Sequence, residues 1–452
     1  MEPELILVNP WIYDFAAYDM WAKPLGLLYI AGYLRECGFK IHMIDCLEVH
    51  HPGMKDISST APPVRRSYGT GKFWREKVAK PSPLKHVHRS YSRYGITRQL
   101  FINELKKIKN PSAILVTSLM TYWYPGVRDA ITLAKQIHPD VPLILGGIYA
   151  RLCPEHAKKF SGADRVVSEG SLNGLSSLQN IIGQAGILLP KKTPLTWELP
   201  YPAFDLLHRL EYVCITTSTG CPYNCKYCAS RFLNPVLYRR KPDQIVDEIR
   251  YWHSDYGIRD FAFYDDALLV DSGRHMDIIL NELIRLDMDL RFHTPNALHV
   301  REITPDMAKM LHVAGFRTIR LGFETSDIKQ HYDLDGKVSE GEFENAVQNL
   351  RDAGFEKKEI GAYILMGLPQ QSVASVKNSI KTVGKSGATP YLAEYSPLPH
   401  TPLWEKAIEH SSYDLVSEPL FHNNTLLPCW DEKKRDRVPD LKRMVREIRQ
   451  MD

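Results

Sequence analysis

Thr216-Thr-Ser-Thr-Gly-Cys221-Pro-Tyr-Asn-Cys225-Lys-Tyr-Cys228-Ala-Ser230 directly follows a short β-rich run, Tyr212 to Thr216. The cysteine spacing is Cys-x3-Cys-x2-Cys. Three thiolates on one short loop can each bind an iron corner of a cubane, and no fourth cysteine follows at ferredoxin spacing, so one iron of a 4Fe-4S cluster is left open to another ligand. An open iron means chemistry rather than electron storage alone. Gly220 and Pro222 suit a loop bent tightly around such a cluster. A structural zinc site wants four ligands, commonly from two cysteine hooks; the extra nearby thiol, Cys214, sits inside the β-rich run and reads as a small buried hydrophobe.

Downstream of this loop, β-rich and helical runs alternate. A helix over Pro242 to Ser254 leads to Asp260–Tyr264, one over Gly273 to Leu286 to Arg291–His293, and one over Pro305 to Ala314 to Thr318–Leu321. Helices over Glu340 to Ala353 and Val373 to Ser386 lead to Glu359–Met366 and Thr389–Tyr395. This succession predicts a partial (β/α)6 barrel of the TIM type, whose active site lies at the C-terminal ends of its strands, where the cysteine loop stands. After Pro402 the chain turns helical and polar, and Leu441, Met444, Val445 and Ile448 form a docking stripe behind Pro439.

Upstream, from Leu5 to about Val167, strand and helix patterns also alternate: Leu5–Val8, Pro24–Cys37, Ile41–Ile44, then Ala113–Val116, Val127–Ile137, Pro142–Leu145 and Arg165–Val167. The expectation is an α/β fold with a Rossmann-like parallel sheet. Small residues at its strand ends, Thr117-Ser118 and Gly146-Gly147, either admit a ligand or make tight turns. Residues 51–110 interrupt the rhythm with 14 Lys/Arg against three Asp/Glu and with Tyr68, Phe73, Trp74, Tyr91 and Tyr94 interleaved. Such a basic insert reads as a solvated or interdomain face, a lid, or a nucleic-acid surface. The proline-rich stretch 191–206 reads as a linker. The expected organisation is therefore 1–190, the linker, a core at 207–402, and a helical region at 403–452.

Composition sets bounds on this reading. The 452 residues are enough for two or three domains. With 44% apolar and 24% charged residues and 57 basic against 53 acidic side chains, the chain is not a global polyanion binder. The acidic, short-runned N-terminus lacks signal-peptide character, and no segment approaches a membrane span, so a cytoplasmic protein is expected, in a compartment where thiols serve as ligands.

The loop Cys221, Cys225, Tyr227, Cys228 resembles that of the radical S-adenosylmethionine (SAM) enzymes, whose signature is Cys-x3-Cys-x-aromatic-Cys. The resemblance implies Cys221, Cys225 and Cys228 as cluster ligands and Tyr227 beside SAM. SAM's amino and carboxylate groups would occupy the open iron, and an electron would cleave the sulfonium to a 5'-deoxyadenosyl radical that takes hydrogen from the substrate. Phe261-Ala-Phe-Tyr-Asp265-Asp266 stands where the family contacts the SAM amino group, with Tyr-Asp-Asp replacing the usual Gly-Gly-Glu. Arg320-Leu-Gly322-Phe-Glu324-Thr-Ser326 resembles the ribose-contacting motif, with Glu324 as hydroxyl acceptor and Asn296 as a second candidate. Gly361-Ala-Tyr-Ile364-Leu-Met-Gly367 resembles the segment lying against adenine, and Pro397–Leu403 the turn that closes these barrels.

Pro24–Arg35 and Gly38–Asp45, with Ser118, Gly146, Gly147, Glu169 and Gly170 later, look like the cobalamin-binding domain fused ahead of many such cores. The Asp-x-His-x-x-Gly motif that supplies a histidine to cobalt elsewhere is absent after the first strand, where Asn9-Pro-Trp-Ile-Tyr13 stands. The resemblance thus implies a cobalamin-dependent radical SAM methyltransferase acting on an unactivated carbon. One SAM would methylate cobalamin, a second would give the radical, and a flavodoxin or ferredoxin would supply electrons to a chain acting on a small molecule or peptide. The alternatives are a radical SAM cyclase, rearrangement or oxidation enzyme without methyl transfer and, more remotely, a nucleic-acid-binding iron-sulfur protein. His293, Tyr363, Glu394 and Tyr395, at strand ends, are candidate substrate contacts or core residues.

Overall fold

The computed structural model describes residues 2–54, 61–169, 183 and 200–450. The chain divides into two compact units, Met1–Glu211 with Ser417–Leu420, and Tyr212–Val416 with Phe421–Asp452.

The first unit is built on five parallel strands, β1 (Glu4–Asn9), β2 (Lys40–Asp45), β3 (Pro111–Val116), β4 (Leu143–Leu145) and β5 (Arg165–Val166), in the order β2-β1-β3-β4-β5. Leu5, Ile6, Leu7 and Val8 of β1 are completely buried, as a central strand covered on both faces requires, which explains their unbroken apolar run. The helix Leu25–Glu36 packs Leu27, Ala31 and Leu34 into a core shared with Leu5, Leu7 and Leu115.

The basic insert proves to be structural in its described part. Arg75–Lys77 and Ser92–Tyr94 pair with Ile12–Asp14 into a three-stranded antiparallel sheet. Phe73, Trp74, Tyr91 and Tyr94 are all buried. Rings packed in a core cannot stack on bases, so these buried aromatics pack the interior around this small sheet and are not a nucleic-acid platform. Several of the cations are likewise engaged: Arg93 lies over the Trp11 ring and pairs with Glu76, and Arg65 pairs with Asp19 at 2.7 Å.

The second unit contains six parallel strands, β6 (Val213–Ile215), β7 (Asp260–Phe263), β8 (Arg291–His293), β9 (Phe316–Glu324), β10 (Ile360–Met366) and β11 (Thr389–Glu394). Each lies beside its chain neighbour, which makes an open, partial barrel. Phe261, Phe263, Phe292 and Phe316 form an aromatic core between sheet and helices. The intervening helices start and stop where local chemistry directs. Pro242 opens one and Gly257, left-handed, ends it; Thr304 caps the helix Pro305–Ala314 by accepting from the Met307 N–H, and Gly315 closes it. The C-terminal helix Val438–Gln450 packs on β11, burying Leu441 and Val445, with Arg449 donating to the Pro390 carbonyl at 2.9 Å. All eight cysteines are free thiols. Among the described residues no helix is long and apolar enough to cross a membrane.

Candidate active site at the ends of the barrel strands

The cysteine loop is fixed before it begins. The Asp265 carboxylate, fully buried at the end of β7, accepts from the Thr217 N–H (3.0 Å), the Thr217 hydroxyl (2.6 Å), the Ser218 N–H (2.5 Å) and the Ser218 hydroxyl (2.7 Å). Arg240 donates to the Thr216 carbonyl at 2.9 Å while pairing at 2.5 Å with Glu248, which is wholly buried. Ser218–Thr219 pairs with Tyr238–Arg239 as a short antiparallel ribbon. Gly220 then turns with φ +81°, so close to Val236 that a Cβ would collide with its carbonyl oxygen. At the far end, the Lys226 N–H bonds the Leu334 carbonyl (2.8 Å) and the Lys226 carbonyl accepts from Leu403 (2.9 Å).

Cys221, Cys225 and Cys228 line one cavity of about 240 Å³, together with Tyr227, Asp266, Asn296, Glu324 and Tyr363 and with Tyr223, Arg231 and Lys337. Among the described residues no three His, Cys, Asp or Glu side chains converge where a single ion could sit. The thiols instead edge a volume, the arrangement a polynuclear cluster needs. Burial pushes the Cys225 thiol up to about 11, with the Lys337 ammonium opposing it.

Glu324 reaches the cavity through an irregularity of β9. The register with β10 shifts between Gly322 and Glu324, and Glu324 takes a left-handed backbone, φ +61°. A bulge re-aims a strand side chain, and a non-glycine residue held there is the kind of strain found at functional sites. Burial raises the Glu324 carboxyl to about 7 against the Lys337 charge. Between its ordinary 4.5 and about 7 the folded apoprotein holds a proton that the unfolded chain releases, so this group stabilises below pH ~4.5 and its contribution is lost as pH rises through ~7, by up to about 3 kcal/mol. The apo Glu324→Gln protein should melt with less dependence on pH across this window than the parent, and an unchanged dependence would remove the assignment.

The other sequence candidates fall on both sides of the cavity wall. Tyr227, Asp266, Asn296 and Glu324 line it. Asn296 donates to the Tyr264 carbonyl at 2.9 Å, which ties the ends of β7 and β8. Asp265 does not line it, because its oxygens are consumed by the Thr217 and Ser218 donors. Ser326 points elsewhere, its N–H donating to the Ser379 hydroxyl at 2.9 Å, and Ile364 is wholly buried in β10. Gly322 lies behind Glu324, where a Cβ would come within 3.3 Å of the Glu324 Oε1. Of the four substrate-contact candidates, Tyr363 lines the cavity; His293 and Tyr395 are core residues, and Glu394 pairs with Lys442 at 2.6 Å. Lys337 had no sequence signal, since it follows the helix Ile328–Leu334 with no spacing relation to the cysteines. Burial works against its charge, and Cys225, Glu324 and Asp335 more than restore it.

In the first unit the strand order reverses between β1 and β3, the switch point outside whose carboxyl ends ligands bind in such sheets. Ser118, after β3, is buried and its hydroxyl donates to the Gly146 carbonyl at 2.6 Å. Gly147, φ +92°, lies so close that a Cβ would stand 2.5 Å from the Ser118 nitrogen, whereas a Cβ on Gly146 would meet nothing within 4 Å. The turn is thus tied to the β3 loop on one side and open on the other, room that a large planar ligand requires. Glu169 is exposed, and Gly170 and residues 191–199 lie outside the described residues. Gly147→Ala should destabilise the first unit by about 2 kcal/mol or more, combining a left-handed backbone with a clash, which thermal melting of the apoprotein measures.

Residues 215–383 match the Radical SAM superfamily and residues 94–173 the B12 binding domain. The chain carries a radical SAM domain and a B12-binding domain. Its cofactors are a 4Fe-4S cluster, SAM and cobalamin. An uncharacterised methyltransferase of Pyrococcus horikoshii is 25% identical over 355 residues, covering 70% of this chain and 74% of that protein. The cytidylyl-2-hydroxyethylphosphonate methyltransferase of Streptomyces wedmorensis is 21% identical over 382 residues, 71% and 65% of the two chains. Among solved structures, the radical SAM methyltransferase TsrM of Kitasatospora setae, with cobalamin and a 4Fe-4S cluster bound, aligns with a TM-score of 0.67 over 98% of this chain and 91% of that one, at 16% identity. The radical SAM match opens at Ile215, the last residue of β6, so it contains the whole cysteine loop.

Proposed function

We propose that the protein is a cobalamin-dependent radical SAM methyltransferase that methylates an unactivated carbon through a 5'-deoxyadenosyl radical. The observation that carries this reading is one cavity holding three thiols, Asp266, Asn296 and Glu324 at strand ends, in a chain that also has a B12-binding domain. When bound, the cluster and SAM supply the hydrogen-abstracting radical and cobalamin supplies the methyl group. Cys221, Cys225 and Cys228 would hold the cluster. Asp266 and Asn296 would face the SAM amino and ribose ends, and Glu324, aimed by its bulge, would accept from a ribose hydroxyl. Tyr227 and Tyr363 wall the cavity against water. Asp265 is a positioning residue that acts through Thr217 and Ser218. Ser118, Gly146, Gly147 and Glu169 border the cobalamin crevice of the first unit, and residues 207–402 make the radical core. An external one-electron donor, such as flavodoxin or ferredoxin, completes the cycle.

Anaerobic reconstitution of the full chain with iron, sulfide and cobalamin, followed by incubation with methyl-labelled SAM and a reductant, tests this reading. Label on the cobalamin together with 5'-deoxyadenosine in one incubation is expected. Deoxyadenosine without label on cobalamin would overturn methyl transfer in favour of a cyclase, rearrangement or oxidation enzyme.

A further inference from the structure

Immediately after the third cysteine of the loop, the chain exposes large apolar side chains. Phe232, Val236 and Tyr238 have 42%, 66% and 40% of their surface accessible, and Phe232 stacks flat on the His400 ring at 4.0 Å. These residues lie over the cluster loop in space as well as in sequence, because the Val236 carbonyl abuts Gly220, the residue before Cys221, and Arg231 lines the cavity. The charge of this segment is one-sided. Residues 221–241 carry Lys226, Arg231, Arg239, Arg240 and Lys241 and no Asp or Glu, in a chain whose basic and acidic residues nearly balance. Arg240 is consumed by Glu248 and Arg239 by Asp271, while Lys226, Arg231 and Lys241 are exposed. An apolar centre rimmed by one sign of charge has the composition of a transient docking patch.

We propose that Phe232, Val236 and Tyr238, rimmed by Lys226, Arg231 and Lys241, form the docking surface for an acidic one-electron donor protein of the flavodoxin class. The inference rests on the proposed function only in requiring that the cluster be reduced from outside. Docking here sets the donor flavin against the loop that carries the cluster ligands. In the transfer one electron leaves the reduced flavin and the cluster takes it up, passing from its 2+ to its 1+ state, with no covalent bond made or broken. The basic rim steers an acidic partner and raises the encounter rate, and the small apolar centre keeps the complex short-lived enough for turnover.

The test is stopped-flow bleaching of the reconstituted holoenzyme's cluster by reduced flavodoxin and, separately, by dithionite. The variants are Val236→Glu and Lys241→Glu, whose side chains lie outside the cavity, singly and combined. The double variant should lose about tenfold or more in the second-order rate with flavodoxin, and the parent's rate should fall steeply with salt. Its iron content and its rate with dithionite should match the parent's. An unchanged flavodoxin rate overturns the proposal, and so does an equal loss with dithionite, which would mean a damaged cluster loop. Normal reduction by flavodoxin with impaired SAM turnover also overturns it, assigning the patch to another partner. Bleaching reads reduction alone, so failure of methyl transfer leaves this measurement intact.

Discussion

The Cys225→Ala protein should lose its cluster iron and all formation of 5'-deoxyadenosine while keeping a parent-like melting transition. Cys225 is the buried thiol of the three, flanked by Cys221 and Cys228 on the same cavity wall. No other thiol of the second unit lines this cavity. Cys214 is wholly buried within β6, Cys429 is buried with its thiol facing the Ala407 carbonyl, and neither lines the cavity. Removing one sulfur from a small side chain costs the apoprotein about 1 kcal/mol, whereas two remaining thiolates cannot retain a cubane that needs three corners held. The readouts are iron and sulfide content, the visible charge-transfer band, and chromatography of deoxyadenosine under dithionite. Deoxyadenosine from this variant at the parent's rate would sink the assignment of the loop.

Asp265→Ala should strongly destabilise the second unit. The carboxylate accepts two backbone N–H groups and two hydroxyls from Thr217 and Ser218, and all of these groups are buried. Burial pushes its carboxyl up while the Ser218 and Thr217 donors hold it down. Truncation strands the donors without water, a loss of about 3–5 kcal/mol. For a unit of this size that lowers the melting temperature by on the order of 10 °C. Asp265→Asn should fall between, because an amide keeps the volume and one acceptor but turns an N–H₂ toward donors. Calorimetry of the apo proteins measures the effect, and a shift of less than about 2 °C for the alanine variant would show that the Thr217–Ser218 turn holds without it.

The barrel could be read in the sequence because its helices are amphipathic and are punctuated by Pro242, Gly257, Thr304 and Gly315, all local signals. The three cysteines could be read from their spacing. Position within a motif was a weaker guide to which side chains enter the cavity. Adjacent Asp265 and Asp266 have opposite fates because one sits above the Thr217–Ser218 turn and the other faces the open end, a difference that depends on the neighbouring strand. Glu324 was named from its motif, yet the bulge that aims it arises from pairing with β10 and has no local signature. Lys337 enters by tertiary packing alone. The basic insert was hardest to read, since charge counts and aromatic spacing do not distinguish a surface from a buried core around a sheet whose third strand, Ile12–Asp14, lies some 80 residues away.

The sequential order of the six barrel strands bears on how the enzyme acquires its metal during synthesis. The thiols sit at residues 221–228, while Glu324, Lys337 and Tyr363, which wall the same cavity, are made later. A nascent chain stopped after Cys228 presents three thiols with no chamber around them. Correct cluster loading therefore belongs to a chain translated past Tyr363, and until then the cysteines stand open to oxidants and stray metal ions.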